Sequence, residues 1–292
     1  MDKSKYKMLQ LRETLMHWLF LFAACASVLA VGLICMFLFV NGIPAMGKIG
    51  LFDFLLGTKW KPGNDIYGIM PMILGSIYTT AGAVLLGVPV GILMAIFMAR
   101  FCPQKLYRIL KPVVDLLAGI PSIVYGFFGL IVLVPFIRNT FSAFDCDGLS
   151  ILTASILLGI MILPSVISVS ESSLRAVPES YYEGGLALGA SHERSVFFAV
   201  VPAAKSGILA GVILGVGRAI GETMAVMMVV GNQPRVPNSV LDGVRTLTTN
   251  IVLEMGYATD LHREALIATA VVLFVFVLVI NLAFSLLKRR GL

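Results

Sequence analysis

Arg218 and Glu222 stand one helical turn apart inside the apolar stretch from Ser206 to Val230. On a continuous helix that spacing brings both side chains to one face. Charges near the middle of a bilayer are costly and are kept where a polar substrate or a water-filled path needs them. The guanidinium stays protonated and offers a planar fork of donors to two oxygens of an oxyanion, which an ammonium group cannot match. Such donors are what a hydrated anion requires before it surrenders its water to a low-dielectric passage. Glu222 would neutralise Arg218 when the passage is empty. Ser122, Tyr125 and Thr223 could add hydroxyl donors. Such residues are more often helix-packing contacts, and the charged pair could instead tie its helix to a polar neighbour.

The elements that must hold these residues are membrane spans. Of 292 residues, 58% are hydrophobic and 13% charged, and the mean hydropathy is +0.94. That balance excludes an ordinary soluble domain. A helix needs about 20 apolar residues to cross roughly 30 Å of hydrocarbon. Six stretches qualify, at residues 18–40, 69–99, 113–137, 151–170, 206–230 and 265–287. The expected fold is an all-α integral membrane protein, one domain over 1–292 with six transmembrane helices. Asp115, after Pro112, reads as a helix-start residue outside the transport path.

Lys and Arg in short loops mark the cytoplasmic side. They concentrate in the N-terminal tail (Lys3, Lys5, Lys7, Arg12), in 100–112 (Arg100, Lys105, Arg108, Lys111), in 171–205 (Arg175, Arg194, Lys205) and in the C-terminal tail (Lys288, Arg289, Arg290). The alternate loops carry half as many. Both termini are therefore expected inside, with 41–67 and 231–264 as outer loops. This asymmetry accounts for the net charge of +6 without a nucleic-acid partner. Cys25 and Cys35 fall in the first span, Cys102 inside and Cys146 outside, so neither a disulfide nor a metal-ligand cluster is expected. No cofactor is implied. His17, His192 and His262 lie at or beyond the span ends and are expected to be solvated.

Gly75, Gly82, Gly87 and Gly91, with Pro71 and Pro89, make the second span small-faced and bendable, suited to close helix packing or a moving gate. Gly207, Gly211, Gly215, Gly217 and Gly221 would fit a seam against a second subunit. Gly42, Gly47 and Lys48 mimic the start of a phosphate-binding loop, but Ile49 stands where Ser or Thr should be and no strand precedes it. The chain thus shows no nucleotide site of its own, and energy must come from a partner or an ion gradient.

The segment 171–205 reads as two short helices joined by a turn. Pro178 and Glu179 start the first, Gly189 stops it, Ser191 caps the second and Pro202 ends it. Glu183-Gly184-Gly185, followed by Gly189 and Pro202, resembles the EAA motif of ABC-importer permeases, with Gly where Ala is usual at 184 and 185 and Val201 before the proline. The resemblance implies that 171–205 is a coupling loop entering a cleft on a cytoplasmic ATPase. An amphipathic loop resting on lipid headgroups is the plainer alternative.

The runs from Leu117 to Gly126, from Gly217 to Val226 and from Thr246 to Tyr257 are similar to the PstC-type permeases of phosphate-specific ABC importers. That resemblance covers most of the chain from residue 69 onward. It implies a type I importer permease moving inorganic phosphate inward by alternating access. It also implies a second homologous permease, two cytoplasmic ATPase subunits and an extracytoplasmic phosphate-binding protein, all in a bacterial inner membrane. On that reading phosphate competes with Glu222 for Arg218, and a carboxylate acceptor favours phosphate, which keeps a P–OH donor, over sulfate. A permease for sulfate or molybdate would use the same arginine. An ion-coupled secondary transporter would need no docking loop and commonly shows inverted repeats. A membrane transferase or hydrolase would gather His, Asp, Ser or Cys near one interface.

Overall fold

The computed structural model describes residues 3–144 and 146–289. Arg290 lies outside them, as do the side chains of Lys3, Lys5, Lys7, Lys288 and Arg289, so of the tail cations in the orientation argument only Arg12 is described. The chain runs through α1 (Lys3–Ile49), α2 (Leu51–Leu56), a hairpin of β1 (Trp60–Lys61) and β2 (Ile66–Tyr67), and α3 (Met70–Ile96), which ends in a wide π turn, Phe97–Phe101. There follow α4 (Gln104–Gly119), α5 (Ser122–Phe128), a second π turn into α6 (Val134–Thr140), and α7 (Ile151–Arg175). Next come α8 (Glu179–Ala187), α9 (His192–Ser195), a third π turn into α10 (Val201–Ala203), α11 (Lys205–Gly221), α12 (Met224–Val229), α13 (Leu247–Met255) and α14 (Asp260–Arg289).

Five helical stretches are long and apolar enough to cross a membrane, and His192–Ala203 with Lys205–Gly221, bent by 69°, can count as a sixth. Two expected spans are not continuous. The third is divided at Ile120–Pro121, because proline disfavours helical geometry in the residue before it, and Ile120 is extended at ψ 127. Pro112 and Asp115 therefore sit inside α4 rather than at a helix start, and Asp115 pairs with Lys111 at 3.4 Å. The fifth is divided after Gly221, where Glu222 is extended at ψ 131.

α3, α7 and α11 form the packed centre. A Cβ on Gly87 would lie 2.6 Å from the Gly159 carbonyl, and one on Gly91 2.9 Å from Val166. These glycines therefore serve contact with α7. On α11, a Cβ on Gly215 would also lie 2.9 Å from Val166, and those on Gly207 and Gly211 would meet Ser173 and Ser170. Three of the five glycines expected at an intersubunit seam thus pack inside the chain, while Gly217 and Gly221 face open space. Gly42, Gly47 and Lys48 lie within α1, where a helical backbone cannot wrap a phosphate.

One end of the bundle gathers α2, the hairpin, α13 and the start of α14 around Phe54, Trp60, Leu247 and Leu266. Glu254, buried there, accepts from Trp60 Nε1 at 2.8 Å and meets His262 Nε2 at 2.8 Å and Arg245. His262 is consequently held among Trp60, Tyr67 and Tyr257 rather than solvated. Burial, with a hydrogen bond to Asp65, pushes the Tyr67 phenol up to about 12. The opposite end packs the close of α3 and α7 against the segment between α8 and α11. There His192 is bonded to Tyr182 OH at 2.8 Å and likewise is not simply solvated. The four cysteines are free thiols.

Candidate translocation site

The site is built from two interrupted helices. α11 carries Arg218 in its last turn, and the chain then leaves helical geometry at Glu222 and Thr223 before α12 begins. The break changes the expected pairing. Among the described residues Arg218 has no carboxylate partner. Its Nη1 donates to Ser165 Oγ on α7 at 3.4 Å. Glu222 instead turns forward, and its Oε1 accepts from the Ala225 N–H at 3.2 Å, satisfying a backbone donor at the start of α12. The carbonyl of Glu222, unpaired by the break, accepts from Thr248 Oγ1 on α13 at 3.2 Å. A continuous helix was required for the two charges to share a face. The Arg218–Glu222 pair is therefore absent here, and so is the competition built on it.

The second interruption faces the first. α5 and α12 pack closely because Gly126 leaves room: a Cβ there would be 2.8 Å from Met228 Sδ and 3.0 Å from Ala225 Cα. Tyr125 is buried in the cluster that also holds Ala225 and Val226. Its hydroxyl donates across the break to the Leu117 carbonyl at 2.8 Å, so it ties α4 to α5 rather than offering a donor to the path. Ser122 is the first residue of α5 and half-buried. Thr223 Oγ1 donates back to Gly221 O at 3.3 Å, which closes the turn. Of the five predicted pathway residues, Arg218 and Glu222 carry charge, and among the described residues Arg218 is held only by the neutral Ser165 hydroxyl. Ser165 and Thr248 escaped the sequence reading, although a serine after Pro164 in an apolar span is a visible signal.

The segment between α7 and α11 folds as expected. Glu179 opens α8, Gly189 takes φ 80, which suits a glycine at a helix stop, and Ser191 Oγ accepts from Arg194 N at 3.3 Å. Glu183 and Gly184 are exposed. Gly185 leaves room for Ser195, since a Cβ would lie 2.6 Å from Ser195 Oγ and 3.0 Å from its Cβ. Pro202 does not end its helix; it lies within α10, one residue before the end at Ala203. Between the two short helices stands an apolar tip that the sequence analysis did not single out, with Leu188 90% exposed.

A family profile, binding-protein-dependent transport system inner membrane component, matches residues 87–291. The chain belongs to this family. The permease is 39% identical over 270 residues to the probable ABC transporter permease protein YqgH of Bacillus subtilis (strain 168), covering 88% of the chain and 87% of that relative. It is 34% identical over 286 residues to the phosphate transport system permease protein PstC of Mesorhizobium japonicum, covering 91% and 87%. It is 33% identical to the probable PstC of Methanocaldococcus jannaschii, covering 86% and 85%. Among solved structures, an inward-facing MetNI methionine ABC transporter covers 80% of the permease at TM-score 0.62 and 18% identity, and all of that chain is matched. A bacterial alginate ABC transporter covers 93% of it, and 94% of that chain, at TM-score 0.63 and 14% identity. The fold is that of a type I ABC-importer permease. It is a multi-pass membrane transport component of a kind that works with an ATPase and a substrate-binding protein.

Proposed function

We propose that this permease is one half of the membrane passage of an ATP-driven importer for inorganic phosphate. The observation that carries the reading is Arg218, half-buried beside two interrupted helices with no carboxylate to neutralise it among the described residues. Relatives named as phosphate transport permeases at similar length support the choice of anion. Because Glu222 is engaged with α12, an arriving anion need not displace it. A second homologous permease completes the passage. Two cytoplasmic ATPase subunits receive the segment 171–205 through Glu183, Gly184, Gly185, the Gly189 turn and the Leu188 tip, while Pro202 sets the return toward α11. An extracytoplasmic phosphate-binding protein meets 41–67 and 231–264. Both termini are cytoplasmic in this arrangement, and hydrolysis occurs in the partners.

The test is uptake of labelled phosphate, with sulfate as competitor, in cells carrying the wild-type chain or Arg218→Gln at equal membrane levels. Losing a charge-assisted pair of hydrogen bonds should lower uptake roughly 10- to 100-fold. Unchanged uptake would reduce Arg218 to a packing residue. Inhibition of wild-type uptake by sulfate at equal concentration would point to a general oxyanion permease.

A further inference from the structure

The charged side chains at the docking end form two adjoining clusters that the translocation site does not use. The centre of the first is Glu171, near the end of α7, with a side chain only 2% exposed. Tyr107 OH donates to its Oε1 at 2.8 Å, Arg175 Nε donates to the same oxygen at 2.6 Å, and Lys111 Nζ reaches Oε2 at 3.2 Å. Tyr107 and Lys111 lie one turn apart on α4, so two of the three donors belong to that helix. The bond to Glu171, with burial, raises the Tyr107 phenol above its ordinary range and keeps it a donor at neutral pH. Arg175 also donates to the Met98 carbonyl at 2.8 Å and lies 4.3 Å over the Tyr107 ring. From the same π turn, Arg100 donates to the Leu174 carbonyl at 3.2 Å and pairs at 2.9 Å with Glu179, the first residue of α8.

The two clusters are joined through the backbone of the π turn and the last residues of α7, which together link α8 to α4. Along α4 only Val114 is buried, with Tyr107 and Leu110 partly buried against the cluster of Met98 and Ile167, so much of the helix surface faces away from the rest of the chain. At its far end the Leu117 carbonyl is held by Tyr125 of α5, beside Arg218. Burying an ion pair adds little net stability compared with apolar packing, whereas breaking one is costly, and such pairs are best suited to fixing register between movable parts. We propose that Glu171 is a positioning residue that carries displacement of α8 to α4, and through Leu117 and Tyr125 to the half-helix α5 beside Arg218. This rests on the reading of 171–205 as the ATPase-docking segment.

The experiment reconstitutes the full importer in proteoliposomes with wild-type chain, Glu171→Gln or Tyr107→Phe, and measures ATP hydrolysed and phosphate accumulated per assembled complex. Glutamine retains an acceptor oxygen but not the charge. The expected result is near-normal ATP hydrolysis with phosphate uptake reduced at least about fivefold, so that ATP consumed per phosphate rises. Tyr107→Phe, which keeps the ring and removes one bond, should shift the ratio in the same direction by less. Wild-type ratios in both variants would overturn the proposal, as would a parallel loss of both activities, which marks a purely structural role. If the wild type hydrolyses ATP but accumulates no phosphate, the anion assignment fails by itself. The positioning role is then read with whichever oxyanion, sulfate or molybdate, the wild type does accumulate: a raised ATP-to-anion ratio in Glu171→Gln supports it and an unchanged ratio overturns it.

Discussion

Gly185 and Ser195 show how a single residue departs from a family pattern for a local reason. The usual alanine at 185 would place a methyl 2.6 Å from Ser195 Oγ, and that hydroxyl is buried with no hydrogen-bond partner. Overpacking of this kind costs typically ~1–3 kcal/mol. Gly185→Ala should therefore destabilise the docking segment and lower the amount of ATPase that co-purifies. Ser195→Ala, which gives up only an unpartnered hydroxyl, should restore most of it. A co-purification assay of the two single variants and the double variant reads this directly, and additive losses would contradict the steric account. At the opposite end, Glu254 shows the reverse economy, because Trp60, Arg245 and His262 all converge on one buried carboxylate.

At the scale of the elements, the central seam is a close approach of α3 to α7. Gly87 sits against the Gly159 carbonyl and the Ile162 side chain, and Ser155 Oγ donates to the Thr79 carbonyl at 3.3 Å across the same interface. In lipid, where apolar surface gains nothing by leaving the solvent, such small-residue contacts are what hold helices together. Gly87→Leu should wedge the seam open. Its expected signature is a lower thermal midpoint of the detergent-purified protein and a fall in membrane abundance. Gly217→Ala, where a Cβ would meet nothing within 4 Å, serves as the control and should leave both unchanged. The same logic separates the two halves of the glycine row on α11: Gly207, Gly211 and Gly215 are occupied by α7, and only the last two remain available to another subunit.

For the whole molecule, the outstanding feature is α1. Its residues from 12 to 34 are exposed throughout, and at 1.5 Å per residue its Lys3–Ile49 length exceeds the hydrocarbon thickness of about 30 Å. The helix therefore presents most of its described apolar surface outside this chain. Orientation is testable at this scale. In a background without native cysteines, a membrane-impermeant maleimide added to intact spheroplasts should label Asn64→Cys and spare Leu188→Cys. Both positions are exposed. Disrupting the membrane should expose the second, and the opposite pattern would invert the proposed topology.

Composition and run length were sufficient to establish a six-span helical membrane protein, because crossing hydrocarbon demands long apolar helices whatever their packing. The two short helices of 171–205 were equally legible from Pro178, Gly189 and Ser191, since caps and stops are decided by neighbours in the chain. The charged pair was legible only as residues. Whether Arg218 meets Glu222 depends on a break that Thr248, from α13, and Ala225 stabilise by hydrogen bonds, and hydrophobic periodicity carries no trace of that choice. The fates of the glycine rows and of His262 were likewise decided by partners distant in sequence. Local signals specify where helices begin and end, but only tertiary contact decides which polar group each charge will satisfy.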